Sequence, residues 1–211
     1  MTPEISQTLD RGLTLLSLLA DAPEGRTVAE LATELGVGRT VVYRLVGTLE
    51  SHDLARRDSS GRVTLGLGAL RLAGAVAPQV RAVTSRILRQ LADRLGATAH
   101  LTVADGDEGS VLVAVEPTWT QVHVAYRVGA RHSLQRGAAG RAILGGRSGD
   151  ASAVETSGEL QEGATGVAAP VLGVPGFEAS VGVVALQPLN LVDVGPLVSA
   201  AARQVAEQLL R

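Results

Sequence analysis

Apolar positions along the chain follow a helical rhythm first and a strand rhythm later. Over residues 5–20, Leu9, Leu13 and Leu16 recur at helical spacing, and Leu15 and Leu18 widen the stripe. The turn Asp21-Ala22-Pro23-Glu24-Gly25 stops that helix. Thr27 with Glu30 three residues on spells a capping box, so a short second helix is predicted over 28–35, closed by Gly36. A third helix over 39–51 turns Val42, Leu45, Val46 and Leu49 inward. Two short strands, 54–57 and 62–65, then flank the turn formers Asp58-Ser59-Ser60-Gly61. Helix, helix, turn, helix, hairpin is the order of a winged helix-turn-helix.

A helix over 66–77, packed through Leu67 and Leu70, is expected to break or kink at Pro78. Another over 80–95 carries Val83, Ile87, Leu91 and Leu95. The domain boundary is expected near 74–80: a winged-helix domain over 1–74, a connecting helix over 75–95 and a second domain over 96–211. In that second domain, strands are predicted at 99–103 and 110–115 around the hairpin turn Asp105-Gly106-Asp107-Glu108-Gly109, and at 121–128. A short helix over 137–144 and a loop over 145–165 follow. Strands 166–171 and 179–186 then flank Gly173-Val174-Pro175-Gly176, before a closing helix over 194–210. Consecutive strands with helices laid on them predict an α+β domain built on an antiparallel sheet.

Composition narrows the chemistry. The 211 residues are 45% apolar, yet no apolar run nears the length of a membrane span and the N-terminus does not read as a signal peptide. Cysteine is absent, which removes disulfides, thiolate metal sites and cysteine nucleophiles and fits a reducing cytoplasm. All 19 basic residues are Arg, so Schiff-base chemistry and a Walker-type phosphate loop are excluded. Each cation is instead a planar fork suited to phosphate or guanine.

The net charge of −2 does not advertise nucleic acid, but the local balance does. Residues 37–65 hold five Arg against three acids, Glu50, Asp53 and Asp58. Leu35-Gly36-Val37-Gly38 supplies the tight turn between the second and third helices. Arg39, Thr40, Tyr43 and Arg44 then form a polar, donor-bearing outer face at the start of the third helix, where base edges and phosphates would be met. Arg57 and Arg62 flank the hairpin tip as wing contacts. Solvated Arg on an ordinary helical subdomain is the bland alternative.

These residues resemble the IclR-type transcriptional regulators. The resemblance runs from Arg11-Gly12-Leu13 to Leu67-Gly68, through Val28-Ala29-Glu30-Leu31-Ala32, the run from Thr40 to Glu50 and the wing Gly61-Arg62-Val63-Thr64-Leu65-Gly66. It continues in His100-Leu101-Thr102-Val103, Tyr126-Arg127-Val128-Gly129, Gly137-Ala138-Ala139-Gly140-Arg141-Ala142 and Gly166-Val167-Ala168-Ala169-Pro170-Val171. It implies a GAF-like C-terminal domain that binds a small-molecule effector. It also implies a homodimer or homotetramer joined partly through the N-terminal helices and the connecting helix, reading a pseudo-palindrome on double-stranded DNA. The effector-facing role falls on Leu134, Ala138, Ala139, Gly166 and Val184, with the backbone amides before the 137–144 helix favouring a carboxylate.

Two features depart from that pattern. The strands offering Gly166, Val184 and Leu186 lack the Ser or Cys that relatives often place there, and the segment between Gly145 and Gly166 is short. Both imply a more open, more apolar or vestigial pocket, the last making the chain a constitutive DNA binder. His100, His123 and His132 lack the spacing of a metal site, and no cofactor is expected. Arg127 and Arg131 are candidates to pair an anionic effector; Trp119, after Pro117, is expected to cap the sheet or join an interface. Glu116 and Asp105 have no second carboxylate spaced for acid–base work. A metabolite enzyme is disfavoured by the missing Cys, Lys, HExxH, GxSxG and GxGxxG; a winged helix that binds a protein is separable only by a binding test.

Overall fold

The computed structural model describes residues 5–121 and 123–211 and divides into two compact units, 1–76 and 77–211. In the first unit, α1 (Gln7–Ala20), α2 (Val28–Leu35) and α3 (Arg39–Ser51) surround one apolar cluster, with a three-stranded sheet of β1 (Arg26–Thr27), β3 (Arg62–Leu65) and β2 (Ala55–Arg57), in that order. The capping box forms: the Glu30 amide donates to Thr27 Oγ1 at 3.2 Å and the Thr27 amide donates to Glu30 Oε2 at 2.7 Å. Gly36 closes α2 in the left-handed conformation, and the amides of Gly36 and Val37 donate back to Thr33 and Ala32.

The stripe of α1 is rotated from the expected one. Gly12, Leu15 and Leu19 are buried, whereas Leu9 and Leu13 are 62% and 56% exposed. The helix therefore carries two apolar faces, and the core takes the one that meets α2, α3 and β3. A second difference concerns Pro78. Residues 68–95 form one helix, α4 (Gly68–Leu95), with the proline inside it. Ala73 to Val76 are exposed, so water can satisfy the carbonyl that a proline leaves unpaired four residues back. Leu67 and Leu70, expected to pack, are 78% and 70% exposed. Farther along α4 the buried stripe is Val80, Thr84, Leu88 and Leu91, with Val83, Ile87 and Leu95 at its half-buried margins.

The second unit is a six-stranded antiparallel sheet in the order β6 (Arg131–Ser133), β5 (Glu108–Val115), β4 (Thr98–Asp105), β9 (Ala179–Ala185), β8 (Thr165–Val171), β7 (Val154–Ser157). Alternation sorts its side chains. Ala99, Leu101, Val167, Ala169, Val181 and Val183 join the main core with the C-terminal part of α4 and with α6 (Leu191–Leu209). Ala168 faces the other way, onto Ala138, Ala139 and Ala142 of α5 (Gly137–Arg147). No described helix is long and apolar enough to cross a membrane.

Two expectations are corrected here. No strand is assigned to 123–128, and Val122, part of the strand expected over 121–128, lies outside the described residues. The Thr98 hydroxyl donates to the Val124 carbonyl at 2.6 Å, doing for this stretch what a ladder bond does in a strand. The edge of the sheet is taken instead by β6, which pairs with the start of β5. The expected loop over 145–165 contains β7, whose hairpin with β8 folds its tip back over α5.

The reciprocal bonds at Thr27 set a cost for breaking them. Thr27→Ala is expected to lower stability by about 1 kcal/mol, read by chemical denaturation, with the fold retained; an unchanged midpoint would show that the box does not anchor α2.

Candidate functional site

In the first unit, the sequence-expected groups share one surface. Val42 and Val46 are fully buried and Leu45 nearly so, which pins the inner face of α3 and leaves Arg39, Thr40, Tyr43 and Arg44 exposed on the outer one. Gly38 provides no side-chain cap, and the Val41 amide donates to the Gly38 carbonyl at 2.9 Å. Arg57 stacks over Tyr43 at 5.3 Å from its ring centre and reaches Glu50 at 3.8 Å, tying the hairpin to the helix. Arg62 behaves differently from its expected role. Its Nε and Nη2 donate to the carbonyls of Glu24 at 3.0 Å and Gly25 at 2.7 Å, so its fork holds the turn before β1. Arg56, which is not among the contacts expected from the sequence, is exposed on β2 and makes no ion pair among the described residues. Arg39 and Arg44 are likewise exposed and outside any ion pair among the described residues.

In the second unit, a cavity of about 140 Å³ lies between α5, the sheet and the β7–β8 hairpin. Ala138, Ala139, Gly166 and Val184 line it; Leu134 does not. Leu134 is 1% exposed and packed beneath Gly140, where a Cβ would stand 2.5 Å from the Leu134 carbonyl oxygen. The polar lining comes from positions not singled out as ligand-facing: His100, Tyr126, Thr156, Glu159 and Gln161. Leu186 is 50% exposed and lies outside the lining.

His100 is the most constrained of these. It projects from β4 beside Gly182, its partner in register on β9, and a Cβ on Gly182 would stand 2.6 Å from the imidazole. Glycine there is what lets the ring lie flat on the sheet. Its Nδ1 is 3.2 Å from the Thr102 hydroxyl, and the Tyr126 ring meets it edge-on at 4.8 Å. Burial, with nearby His132 adding to it, pushes the His100 pKa down to about 3, so the ring is neutral. Burial likewise raises the Tyr126 phenol to about 12. The remaining candidates lie elsewhere. His123 pairs with Glu116 at 3.0 Å, and Arg131 is held by Asp105 and Glu108 at 2.6 and 2.7 Å. Arg127 is exposed and is not among the lining residues. Trp119 donates to the Asp93 carbonyl at 2.7 Å and lies against Gly96, sealing the end of α4 rather than the sheet.

Comparison with known proteins places this architecture. The profile of the IclR helix-turn-helix domain matches residues 8–59 and that of the bacterial transcriptional regulator IclR C-terminal domain matches residues 75–155, together more than half of the chain. The chain belongs to the IclR family. This IclR-family chain is similar to the HTH-type transcriptional regulator KipR of Bacillus subtilis, at 30% identity over 141 residues, covering 66% of the chain and 56% of the relative. It is also similar to the HTH-type transcriptional regulator Rv1719 of Mycobacterium tuberculosis, at 31% over 139 residues, covering 65% and 53%. The chain thus spans little more than half the length of the curated relatives it matches. Both are named as regulators, not enzymes. Among solved structures, an IclR homologue of Microbacterium hydrocarbonoxydans complexed with 4-hydroxybenzoate shares the fold, with a TM-score of 0.53 at 18% identity, covering 97% of this chain and 99% of that one.

The neutral, buried His100 makes stability depend on pH. Its folded pKa lies below the unfolded value of about 6.5, so unfolding takes up a proton between those limits and stability falls as the pH drops from about 6.5 toward about 3. One such proton accounts for at most about 1.4 kcal/mol per pH unit. His100→Gln is expected to flatten denaturation midpoints across that window; a slope equal to the wild type's would contradict the assignment.

Proposed function

We propose that this IclR-family chain is a DNA-binding transcription regulator that seats α3 in the major groove and answers a small-molecule effector through the cavity of its C-terminal unit. The carrying observation is the division of α3 into two faces: Val42, Leu45 and Val46 buried, Arg39, Thr40, Tyr43 and Arg44 outward. A groove-reading helix needs that division, because base edges must be met by donors on a rod that cannot roll. Arg57, held against Tyr43, and Arg56 supply wing cations for backbone phosphate.

A second copy of the chain is the partner we assign to the outward apolar side chains of the first unit. Ile5, Leu9 and Leu13 at the start of the chain, and Leu67 and Leu70 at the start of α4, are each more than half exposed. Apolar surface of this kind favours self-association, and a two-fold homodimer, or a homotetramer built from it, reads a pseudo-palindromic operator. Such a regulator works in the cytoplasm.

Ala138, Ala139, Gly166 and Val184 are the effector-facing backbone and side chains of this reading. The cavity is close to the roughly 150 Å³ that suffices for benzene in an apolar site. That favours a responsive regulator over a constitutive one and points to a compact effector, no larger than about a single ring.

The test is an electrophoretic shift on the DNA upstream of the gene itself, run over a salt series. Arg44→Ala is expected to weaken binding about 10- to 100-fold, the loss of one bidentate base contact, with the circular dichroism spectrum unchanged. Arg56→Ala is expected to weaken binding to all sequences and to lower the salt slope by about one. Unaltered affinity in Arg44→Ala would remove α3 from the groove.

A further inference from the structure

The place where an anionic ligand would be received is already filled by the protein. α5 begins at Gly137, whose amide donates to Glu159 Oε2 at 2.8 Å. The other oxygen, Oε1, pairs with Arg141 Nη2 at 2.8 Å, one turn farther along the same helix. Arg136 donates from Nη2 to the Glu159 carbonyl. Leu160 lies directly on Gly137, where a Cβ would stand 2.5 Å from Leu160 Cδ1; Gly137 has a φ of +78° as well. The tip of the β7–β8 hairpin is closed on itself by the Gly158 amide to the Ala164 carbonyl at 2.8 Å and the Ala164 amide to the Gln161 carbonyl at 3.1 Å. A helix N-terminus and a guanidinium, the two groups best suited to a carboxylate, are thus spent on that of Glu159.

What remains of the cavity is different in kind. Val124, Ala138, Ala139 and Val184 give it apolar walls. His100 stands in that wall, 4% exposed, and its Nε2 makes no hydrogen bond to a described residue. Tyr126, Thr156 and Gln161 complete the polar lining beside this neutral ring, and no Arg is among the lining residues.

We infer that Glu159 is a built-in occupant of the anion-receiving end of this pocket, so that the cavity selects a compact, uncharged ligand with one hydrogen-bonding group for His100 and rejects free carboxylates. The inference rests on reading the cavity as the effector pocket. A carboxylate entering it meets a like charge in a partly dry site, which disfavours its ionised form. It must also displace a tethered group whose effective concentration is in the mM range or above. The short segment between Gly145 and Gly166 acquires a purpose: it is the hairpin that delivers Glu159 to Gly137.

The experiment compares benzyl alcohol with benzoate, two probes alike in ring and unlike in charge, on the wild-type chain, on Glu159→Ala and on Glu159→Gln. Calorimetric titration gives the Kd, and the amide resonances of Gly137 and Ala138 report on the α5 end directly. The wild type is expected to prefer benzyl alcohol by about ten-fold or more. Glu159→Ala is expected to tighten benzoate by about ten-fold relative to benzyl alcohol and to make benzoate shift the Gly137 amide. Glu159→Gln, which keeps the side-chain shape, is expected to move benzoate in the same direction. Benzoate equal to benzyl alcohol on the wild type, or unmoved by both substitutions, overturns the role of Glu159 while the pocket stands. No binding of either probe to any of the three chains overturns the inference and the effector-pocket reading together, and leaves DNA binding untouched.

Discussion

Burial of a single stripe of α3 is the constraint from which the regulatory reading follows. Val42, Leu45 and Val46 each give up nearly all their surface to the three-helix core. Each such side chain contributes roughly 1.5–3 kcal/mol, whereas the Arg57–Tyr43 stack on the outer face is worth about 0.5–1 kcal/mol at an exposed site. The apolar side therefore decides how the helix is rotated, and the polar side accepts the consequence. Arg39, Thr40, Tyr43 and Arg44 face outward because three other residues face in. The short α2, held at its start by Thr27 and Glu30 and at its end by Gly36, fixes where that rod begins.

The C-terminal unit uses the period of two in the same way. One face of the sheet is given to the helical core of α4 and α6; the other is lined with small residues, Gly182, Ala168 and Gly166, on which α5 and the His100 ring lie. Small side chains leave room, and the room is the cavity. Its polarity is then set by two decisions. Burial keeps His100 neutral, and the β7–β8 hairpin brings Glu159 to neutralise the positive end of α5. The site is thus left without a free charge through the fold's own pairing of charges rather than through a shortage of polar residues.

Much of this was legible in the sequence. The capping box, the Gly36 stop, the inner stripe of α3 and the alternating strands each follow from local chemistry, and local chemistry is what one chain displays. The misreadings have a common cause: they depend on a partner distant in sequence. α1 offers two apolar faces, and only packing against α2, α3 and β3 determines that Leu15 and Leu19, not Leu9 and Leu13, go inside. Arg62 reads as a wing cation until the Glu24 and Gly25 carbonyls, more than thirty residues earlier, claim it. The stretch after Gln121 alternates like a strand, but β6 takes the sheet edge. Glu159 lies in a segment that reads as loop, and nothing near it signals a bond to Gly137. His100 lies in the motif His100-Leu101-Thr102-Val103, and its neighbour Gly182, which makes its burial possible, is the signal in the sequence for it.

The central claim is that the polar side of α3 enters a major groove. Its most direct test is dimethyl sulfate footprinting on a duplex selected by the protein from random DNA, because guanine N7 is exposed only in that groove. The account predicts two protected guanine clusters whose centres lie about one helical turn, or a whole multiple of it, apart, as a two-fold dimer requires. A bound duplex whose guanines all remain open to methylation would contradict it.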